Sequence, residues 1–586
     1  MVEKIAAETP ANITVVNSIT LSATPGTDLD DRLRDIPGFT LFRRASSMVA
    51  NPTTQGVSLR GIGSSGTSRT LVLWDGIPAN DPFGGWVYWT QFIPDEMDRV
   101  EVSRGAATSV FGNMAMSGAV ANFSRQPEPF HLRADYEAGN ENTHDFSLGF
   151  SNLWKGWAIS GDTRAFYTDG YYIVPASIRG PVDRRAGVKF ITGDIHLDGY
   201  TRYGNLFFKT NILVEDRQNG TSLTRNSTSL GTASMHYVEQ FASESLSVTV
   251  FRTQEGFHAS FSSIPANRQT EKLTYLQSVP SQATGGAAIW QHHNVKWDLT
   301  GGVDADRING TDTDHLFPSG SRVGGGTQFF KGVFGQFNAS VGGLHLYTGV
   351  RESFTGMSGN FFSPNAGLAY GKKQWRLRGS LYRAFRAPTL NELYRNFSTG
   401  NTFTEANPAL KPETVFGSEV GVDWIGENSS VRLTGYRNSL GDLVTNVTLS
   451  SSATSIVRQR ANAAAAISRG MEAEFRRRYH DLTGTLSYLY ADSRYDTGPR
   501  IAQVPKHQGT AQLNYQHAGT LLSLGVRSFD YQFDDDLNQF RLPGYATVQL
   551  LARQRLVLHG IHTHAEHRRA APVSRRSPLG RPGPLA

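Results

Sequence analysis

A repeating alternation of polar and apolar residues constrains this chain more than any other feature. Between about residues 131 and 556, short segments alternate in this way, and clusters of Gly, Asn, Asp or Ser separate them, as around residues 202–216 and 374–385. Such segments are typical of β-strands, whose successive side chains point to opposite faces. Roughly 20–22 segments of about ten residues fit this description. The sequence therefore predicts a very large antiparallel sheet.

Residues 374–385 indicate which face of that sheet is apolar. Trp375 and Leu377 share one parity, whereas Arg376 and Arg378 share the other. An arginine that faces lipid costs about 2–4 kcal/mol near the bilayer midplane, so both arginines should face an aqueous lumen. An apolar outside is the inverse of a soluble barrel, and no repeat of about 40–50 residues indicates a propeller. The pattern predicts a membrane-spanning β-barrel, whose strands need only about 9–11 residues.

Length and composition agree with a barrel and exclude other classes. The 586 residues exceed the roughly 250–300 at which a single core stops growing, but a barrel wall need not fill its own interior. No run of about 18 apolar residues occurs, which excludes a transmembrane helix. The absence of cysteine excludes disulfides, thiolate metal sites and cysteine nucleophiles. The net charge of +6 forms no basic stripe, so no nucleic-acid partner is expected.

Residues 11–126 follow a different pattern and predict a compact mixed α/β domain. Residues 28–35 (DLDDRLRD) resemble a helix, and several glycine-rich turns follow. The pair Asp75-Gly76 after an apolar run is a strong hairpin signal. Gly105 and Gly112 are expected at sharp turns, because glycine adopts positive φ freely.

Several motifs resemble those of TonB-dependent receptors. VSLRGIG (57–63), RTLVLWDGIPAND (69–81) and DRVEVSRGAATSVFGNMAMSGAV (98–120) are similar to segments of the plug domain of that family. Residues 383–414 resemble a long extracellular loop, and SRGMEAEF (468–475) resembles a late barrel strand. The resemblance extends from about residue 29 to 556, and the motifs are specific as a set.

The resemblance implies a mainly β fold: a transmembrane antiparallel barrel of about 22 strands with an N-terminal mixed α/β plug inside its lumen. It further implies a location in the cell outer membrane and import of a scarce ligand, such as a ferric siderophore or cobalamin. The expected partners are the TonB complex of the inner membrane, the small chelate or vitamin, and outer-membrane lipid. No cofactor is expected, and no catalytic motif such as G-x-S-x-G, H-E-x-x-H or a P-loop is present, so an enzyme is not predicted.

Both ends depart from the family pattern. Residues 1–10 are an extension without the apolar core of a signal peptide, and no TonB box is evident, because residues 13–16 suit the first plug strand better. After a plug at 11–126 and a barrel at 127–556, residues 557–586 are rich in Arg and His and hold four prolines. This basic tail is predicted not to form a barrel strand. The chain is accordingly expected to be incomplete at both ends.

Two apical segments of the plug, residues 45–55 and 80–89, are the candidate ligand site. Aromatic residues beside Gly84 and Gly85 would offer a stacking surface and exposed backbone. Packing within the plug core is the alternative interpretation of the aromatic side chains. The candidate ligand-binding residues are Asn51, Gln55, Asn80, Asp81, Phe83, Trp86 and Tyr88.

Strand parity also predicts an ionic lock between plug and wall. Glu419, Glu472 and Glu474 should point inward, because their neighbours Val420, Met471 and Phe475 take the lipid parity. The resemblance places Arg60 and Arg104 of the plug toward the wall. A partly desolvated carboxylate needs a cation partner, and one guanidinium can bridge two carboxylates. Simple hydration by lumen water is the alternative.

No metal site is predicted. The tail histidines 559, 562, 564 and 567 are interpreted as part of a tail that is translated out of frame or is a divergent disordered end, and the acidic residues 534–536 as a solvated loop. Three other possibilities remain open: an outer-membrane adhesin or signal receptor without import, a soluble secreted β-rich lectin or enzyme, and a damaged remnant.

Overall fold

The computed structural model describes residues 11–63, 66–105, 108–356, 359–399, 402–452, 455–558 and 561–573. It contains a small mixed domain, here called the plug (residues 11–124), and a closed barrel whose first strand begins at residue 131. Hydrogen bonds join the plug to distant parts of the barrel wall, for example from Asn12 to Glu472 and from Thr90 to Glu215. The predicted barrel with a plug in its lumen is confirmed.

A five-stranded sheet organises the plug, in the order β1-β6-β7-β4-β5. The predicted Asp75-Gly76 turn joins β4 to β5, and both residues have positive φ (48° and 83°), as a type I′ turn requires. A core that includes Phe39, Val72 and Trp89 packs on the sheet. The described plug elements are β1 (Asn12–Asn17), α1 (Ser18–Ala23), α2 (Leu29–Leu33), β2 (Thr40–Leu41), β3 (Val57–Ser58), β4 (Leu71–Trp74), β5 (Ile77–Pro78), β6 (Met97–Arg104), α3 (Thr108–Phe111) and β7 (Gly118–Ser124).

The barrel sheet closes on itself with more than twenty strands, and its wall hairpins are antiparallel, as predicted. Short strands β19, β22 and β23 attach to the wall, whereas β30 and β31 form a separate hairpin. The described barrel elements are β8 (His131–Gly139), β9 (Thr143–Trp154), β10 (Trp157–Tyr171), β11 (Asp183–Thr201), β12 (Gly204–Thr221), β13 (Arg225–Phe241), β14 (Glu244–Ser263), β15 (Lys272–His293), β16 (Trp297–Leu316), β17 (Ser321–Val341), β18 (Leu344–Phe354), β19 (Asn360–Phe362), β20 (Asn365–Lys372), β21 (Trp375–Arg386), α4 (Leu390–Tyr394), β22 (Phe397–Thr399), β23 (Thr402–Glu405), β24 (Glu413–Ile425), β25 (Ser429–Ser451), β26 (Ile456–Tyr479), β27 (Leu482–Tyr495), β28 (His507–His517), β29 (Thr520–Phe529), β30 (Gln532–Phe533), β31 (Arg541–Leu542), β32 (Tyr545–Leu558) and β33 (Ile561–Val573).

The two ends of the barrel differ in the length of their connections. At one end the turns are tight, and in the pairs Lys155-Gly156 and Ala518-Gly519 both residues have positive φ. At the other end the connections are mostly longer, and they include residues 387–412 and 530–544. Short turns are typical of the periplasmic end of an outer-membrane barrel, and long loops of the extracellular end. This asymmetry orients the molecule.

Strand β21 shows the predicted polarity of the wall. Trp375 and Leu377 are more than half exposed on the outside, whereas Arg376 and Arg378 are buried in the lumen. Phe385 is the exception: it shares the parity of Trp375 and Leu377, but it is 1% exposed and packs on Phe361, with ring centroids 4.7 Å apart. It lies at the end of the strand, where the following loop folds back over the plug.

The prediction that the basic tail cannot form a barrel strand is wrong for residues 561–573. These residues form β33, which pairs with β32 from Ala546↔Val573 to Leu558↔Ile561 and completes the closed sheet beside β8. Three of the four prolines of the tail follow residue 573, and Pro572 lies next to the end of the strand, where a missing N–H disturbs little. An open sheet would leave a row of unpaired backbone groups, so closure favours a strand here despite its composition.

Among the described residues, no helix has the length and apolar character that crossing a bilayer would require.

Candidate functional site

The plug contacts the wall strands β24–β26 through two buried arginines. Arg60 lies in a turn after β3 with φ of 55°, and its carbonyl accepts hydrogen bonds from Ser468 (2.9 Å) and Tyr436 (3.2 Å) of the wall. Arg104 ends β6, and Gly105 follows it with φ of 81°. A side chain at Gly105 would meet the Arg60 guanidinium at 2.8 Å, so glycine is what allows the two segments to approach.

The structure brings together all five residues of the predicted lock. The Arg60 guanidinium lies 2.5 Å from Glu419 and 3.3 Å from Glu472. The Arg104 guanidinium lies 3.5 Å from Glu472 and 2.8 Å from Glu474. Glu472 thus bridges the two arginines. We call these five residues the lock cluster.

Burial makes the lock cluster electrostatically strong. The side chains of Arg60, Glu419 and Glu472 are at most 1% exposed, so water screens their charges little. Burial by itself would lower the pKa of Arg60, but the adjacent carboxylates of Glu419 and Glu472 outweigh it and raise that pKa well above the usual value. Arg60 is therefore a permanent cation, and each carboxylate retains its charge partner.

The first plug strand also takes part in the lock cluster, which the sequence analysis missed. Asn12 donates a 2.6 Å hydrogen bond to Glu472, and Thr14 donates one of 3.2 Å to Glu474. Arg432 of the wall donates a 2.7 Å hydrogen bond to the carbonyl of Ile13. Alternation within residues 12–17 could have indicated a strand edge, but nothing local indicates which wall strand it meets. The N-terminal strand is thereby connected directly to the charges that hold the plug.

A second network, also missed, joins the plug to an extracellular loop. Arg69 binds Glu413 through two hydrogen bonds of 2.9 and 2.7 Å. Arg386 contacts the same Glu413 at 2.7 Å and binds Glu392 of helix α4 at 2.8 and 3.0 Å. Thr389 and Glu392 form a capping box at the start of α4. These contacts hold residues 387–399 folded inward over the plug.

Elsewhere around the barrel the plug supplies carboxylates to the wall rather than arginines. Asp28 lies 3.0 Å from Arg164 of β10, which also binds Asp145 of β9 at 2.7 Å. Asp35 pairs with Arg527 of β29, as Glu96 does with Arg133 of β8. Burial raises the pKa of Asp28, while Arg164 opposes that shift. The plug therefore presents cations to β24–β26 and anions to β8, β10 and β29.

The predicted stacking surface around residue 86 is not exposed, and that expectation is wrong. Trp86 is 3% exposed and Tyr88 1%; both pack on wall residues such as Phe190. Phe83 is 1% exposed and packs on Phe257 and Leu390. The plug fits so closely inside the wall that these aromatic side chains become part of a shared core.

The polar side chains of the predicted ligand site mostly form hydrogen bonds with backbone groups of the plug. Asn80 accepts a hydrogen bond from the N–H of Val72 (2.8 Å), and Asn51 accepts one from Thr53 (3.1 Å). The Gln55 amide, fully buried, donates to the carbonyl of Ala50. Asn51 and Asn80 are partly exposed, so they remain the candidates that a ligand could contact.

The carboxyl group of Asp81 lies near that of Glu255 in the wall. It accepts the N–H of Gly84, and burial together with the nearby Glu255 raises its pKa well above the usual range. Tyr88 donates a 2.6 Å hydrogen bond to the same Glu255. Asp81 therefore acts in holding residues 81–86 rather than as an exposed ligand contact.

Within the part of the chain that the structure describes, no three or more His, Asp or Glu side chains form a group that could hold a metal ion. The tail residue His559 lies outside the described residues, and the side chains of the other tail histidines are not described. Asp535 instead accepts the backbone N–H groups of Gln539 and Phe540 at 3.0 and 2.7 Å, which organises its own loop.

Comparison with known proteins identifies the same two parts. The TonB-dependent receptor plug domain matches residues 6–119, and the β-barrel of TonB-dependent receptors matches residues 135–560.

Individual relatives are distant. The hemin receptor of Yersinia enterocolitica is 27% identical over 72% of this chain and 64% of its own length. The vitamin B12 transporter BtuB of Vibrio vulnificus is 22% identical over 75% of this chain and 69% of its own length. The structure of the ferric enterobactin receptor PfeA of Pseudomonas aeruginosa superposes with a TM-score of 0.75 at 18% identity, covering 94% of this chain and 92% of that one. This chain thus spans about two thirds of the first two relatives.

Proposed function

Because the chain belongs to the TonB-dependent receptor family, we propose that it imports a scarce small ligand across the outer membrane. The barrel is an outer-membrane barrel, and the family consists of receptors and transporters. The ligand binds at the extracellular end, the TonB complex of the inner membrane pulls on the N-terminal segment, and the plug rearranges to open the lumen. No covalent bond of the ligand changes, so the protein is not an enzyme.

The contact between β1 and the lock cluster is the observation that carries this proposal. A pull on the segment before residue 12 acts first on Asn12 and Thr14, which hydrogen-bond Glu472 and Glu474. Those carboxylates also hold Arg104. Force applied at the N-terminus therefore reaches the buried charges that keep the plug in place, and it need not unfold the barrel.

The names of the relatives support a compact chelate or vitamin as the ligand. They describe receptors for hemin, vitamin B12 and ferric enterobactin. In this proposal the ligand rests on the apical plug segments, and Asn51 and Asn80 supply polar contacts. Trp86, Tyr88, Phe83, Asp81 and Gln55 support those segments from below, and a ligand reaches them only after the loops or the plug move.

Uptake by intact cells tests the proposal. The full chain, expressed in the outer membrane of a host without its own receptors, is supplied with labelled hemin, cyanocobalamin or a ferric catecholate. We expect one of these to accumulate, and we expect accumulation to stop when the TonB gene is deleted. Binding without accumulation would favour an adhesin or signal receptor, and accumulation without TonB would contradict the mechanism.

The Asn12→Pro variant adds an internal control. Proline removes a backbone N–H from the β1–β6 pairing and removes the amide that binds Glu472. We expect ligand binding to persist and uptake to fall. Unchanged uptake would mean that β1 does not transmit the pull.

A further inference from the structure

Arg500, in the loop between β27 and β28, is a buried cation without a partner. It is 5% exposed, and none of its three guanidinium nitrogens has a hydrogen-bond partner among the described residues. Burying a charge without a partner is expensive, and proteins nearly always pair such groups. Five donors directed into a protected space therefore indicate a place for an anion.

The surrounding structure holds Arg500 in a fixed position. Its backbone N–H donates to the Asn538 side chain (2.7 Å), and the Asn538 amide donates back to its carbonyl (2.9 Å). Its guanidinium carbon lies 5.6 Å from the centroid of the Tyr531 ring. These contacts fix the backbone and place the side chain over an aromatic face, while the N–H donors remain available.

Two further arginines contact the loop of residues 530–544, which holds Tyr531. The guanidinium carbon of Arg541 lies 4.0 Å from the centroid of the Tyr531 ring, so one ring carries two cations. Arg44 of the plug donates a 2.9 Å hydrogen bond to the carbonyl of Pro543, and its Nε and Nη2 are buried without a partner. Arginines of both the plug and the barrel therefore contact residues 530–544.

The carboxylates of the neighbouring loop do not form an ion pair with Arg500 among the described residues. Asp535 is engaged by two backbone N–H groups, and the Gln503 amide donates to Asp534 at 2.5 Å. Among the ion pairs of the described residues, none joins Arg500 to an acid; its neighbour Arg494, by contrast, pairs with Asp492 at 3.0 Å. The guanidinium of Arg500 thus remains without a carboxylate partner although aspartates lie in the neighbouring loop.

We propose that Arg500, with Arg541 and Arg44, forms a binding site for a soluble oxyanion, a carboxylate or phosphate group, at the extracellular end of the barrel. The site lies on the plug side of the wall, because Ile501 reaches within 2.6 Å of the position that a Cβ on Gly63 would take. That position favours a soluble anion over a lipid headgroup. A planar guanidinium binds both oxyanions through paired hydrogen bonds.

Calorimetric titration of the purified full chain in nonionic micelles tests the site, with inorganic phosphate and citrate as probes. We expect Arg500→Gln to weaken binding of at least one probe about tenfold or more, because charge-assisted hydrogen bonds are lost. The matched control is Arg494→Gln, which removes the same charge at an exposed, paired position near the end of β27, just before that loop. The affinity of the Arg494→Gln variant for each probe should stay within about twofold of that of the wild type. Equal losses in both variants, or none in Arg500→Gln, would overturn the proposal.

Thermal unfolding separates an anion site from a packing role. Arg500→Met keeps the contact with Tyr531 and removes the unpaired charge. Without added anion it should unfold at a higher temperature than the wild type, and phosphate should raise the unfolding temperature of the wild type alone. A less stable Arg500→Met variant, combined with a wild type that phosphate does not stabilise, would mean that Arg500 only packs.

The source of the anion is tested in lipid. In nanodiscs of phosphatidylcholine the phosphate titration should match that in micelles, and adding phosphatidic acid should leave it unchanged. Loss of the titration only with phosphatidic acid would assign the site to a lipid headgroup and overturn the soluble assignment. These binding experiments involve neither TonB nor transport. Their outcome is therefore independent of whether the import proposal is correct.

Discussion

The two sides of the plug hold it to the wall with opposite charge. Toward β24–β26 the plug supplies arginines and the wall supplies glutamates, as in the pairs Arg60–Glu419 and Arg104–Glu474. Toward β10 and β29 the plug supplies aspartates and the wall arginines, as in the pairs Asp28–Arg164 and Asp35–Arg527. Turning the plug by about half a revolution would bring its arginines toward Arg164 and Asp28 toward the glutamates of β24–β26. Reversed polarity therefore specifies the orientation of the plug as well as its attachment.

The surroundings of Arg60 and Arg164 also differ in how completely the charges are buried. The side chains of Arg60, Glu419 and Glu472 are all at most 1% exposed. Asp28 is equally buried, but Asp145, the second partner of Arg164, is 14% exposed. Water can replace a lost partner more easily around Arg164 than around Arg60, so the two arginines should respond unequally to the same kind of mutation.

Arg60→Ala should have the largest effect. It leaves Glu419 and Glu472 buried near a single remaining cation, which costs about 3–5 kcal/mol for a buried pair. We expect a loosened plug, measured as increased sensitivity of cells to large antibiotics that the outer membrane normally excludes. Arg99→Ala is the control, because Arg99 forms pairs that are about 30% exposed or more. Equal sensitivity of the two variants would show that the lock cluster does not hold the plug.

Asp31→Asn should stabilise the protein at neutral pH. Burial, followed by the adjacent Asp30, raises the pKa of Asp31 from 3.8 to about 6, so the folded state holds a proton that the unfolded state releases in that interval. The contribution of Asp31 to the free energy of unfolding of the wild type therefore falls as pH rises from about 4 to 6, by up to about 3 kcal/mol. The variant should be more stable at pH 7.5 and similar at pH 4, by denaturant titration. Asp98→Asn, at an exposed carboxylate, should show no such difference.

Arg164→Ala should destabilise the protein by about 2 kcal/mol, less than Arg60→Ala. Asp28 would lose its cation but retain the 2.7 Å hydrogen bond from Ser47, and a carboxyl with an already raised pKa can take up a proton instead. Denaturant titration at pH 5 and pH 8 measures this, and the loss should be greater at pH 8. A larger loss than for Arg60→Ala would contradict the proposed difference between the sides.

Asn12→Ala should have the smallest effect on stability, about 1 kcal/mol, which is typical of one hydrogen bond. Its effect should be local, because the Arg104–Glu474 pair remains. Faster hydrogen exchange in residues 12–17, with unchanged exchange in β24–β26, would confirm that β1 can be released separately. Faster exchange throughout would mean that β1 and the lock cluster open together.

The sequence by itself determined which side chains face the lumen. Strand periodicity of two is a local property, so Arg376, Arg378 and Glu472 could be assigned inward from their neighbours alone. Partial desolvation inside a plugged lumen then indicated that the inward glutamates would need cation partners. The family motifs then supplied Arg60 and Arg104 as partners, and the pairs are present.

Only the tertiary structure decided which distant residues meet. Arg69 and Glu413 are 344 positions apart, and their contact depends on barrel closure, on the rotation of the plug and on the inward fold of residues 387–399. The burial of Trp86 follows from the fit between plug and wall, and strand β33 forms because the sheet must close. Arg500 is an ordinary loop arginine in the sequence, and it becomes an unpaired buried cation only when two loops and a tyrosine enclose it. The alternation of side chains along a strand depends only on neighbouring residues in the chain. The contact partners of a residue depend on closure of the barrel, which brings together residues hundreds of positions apart.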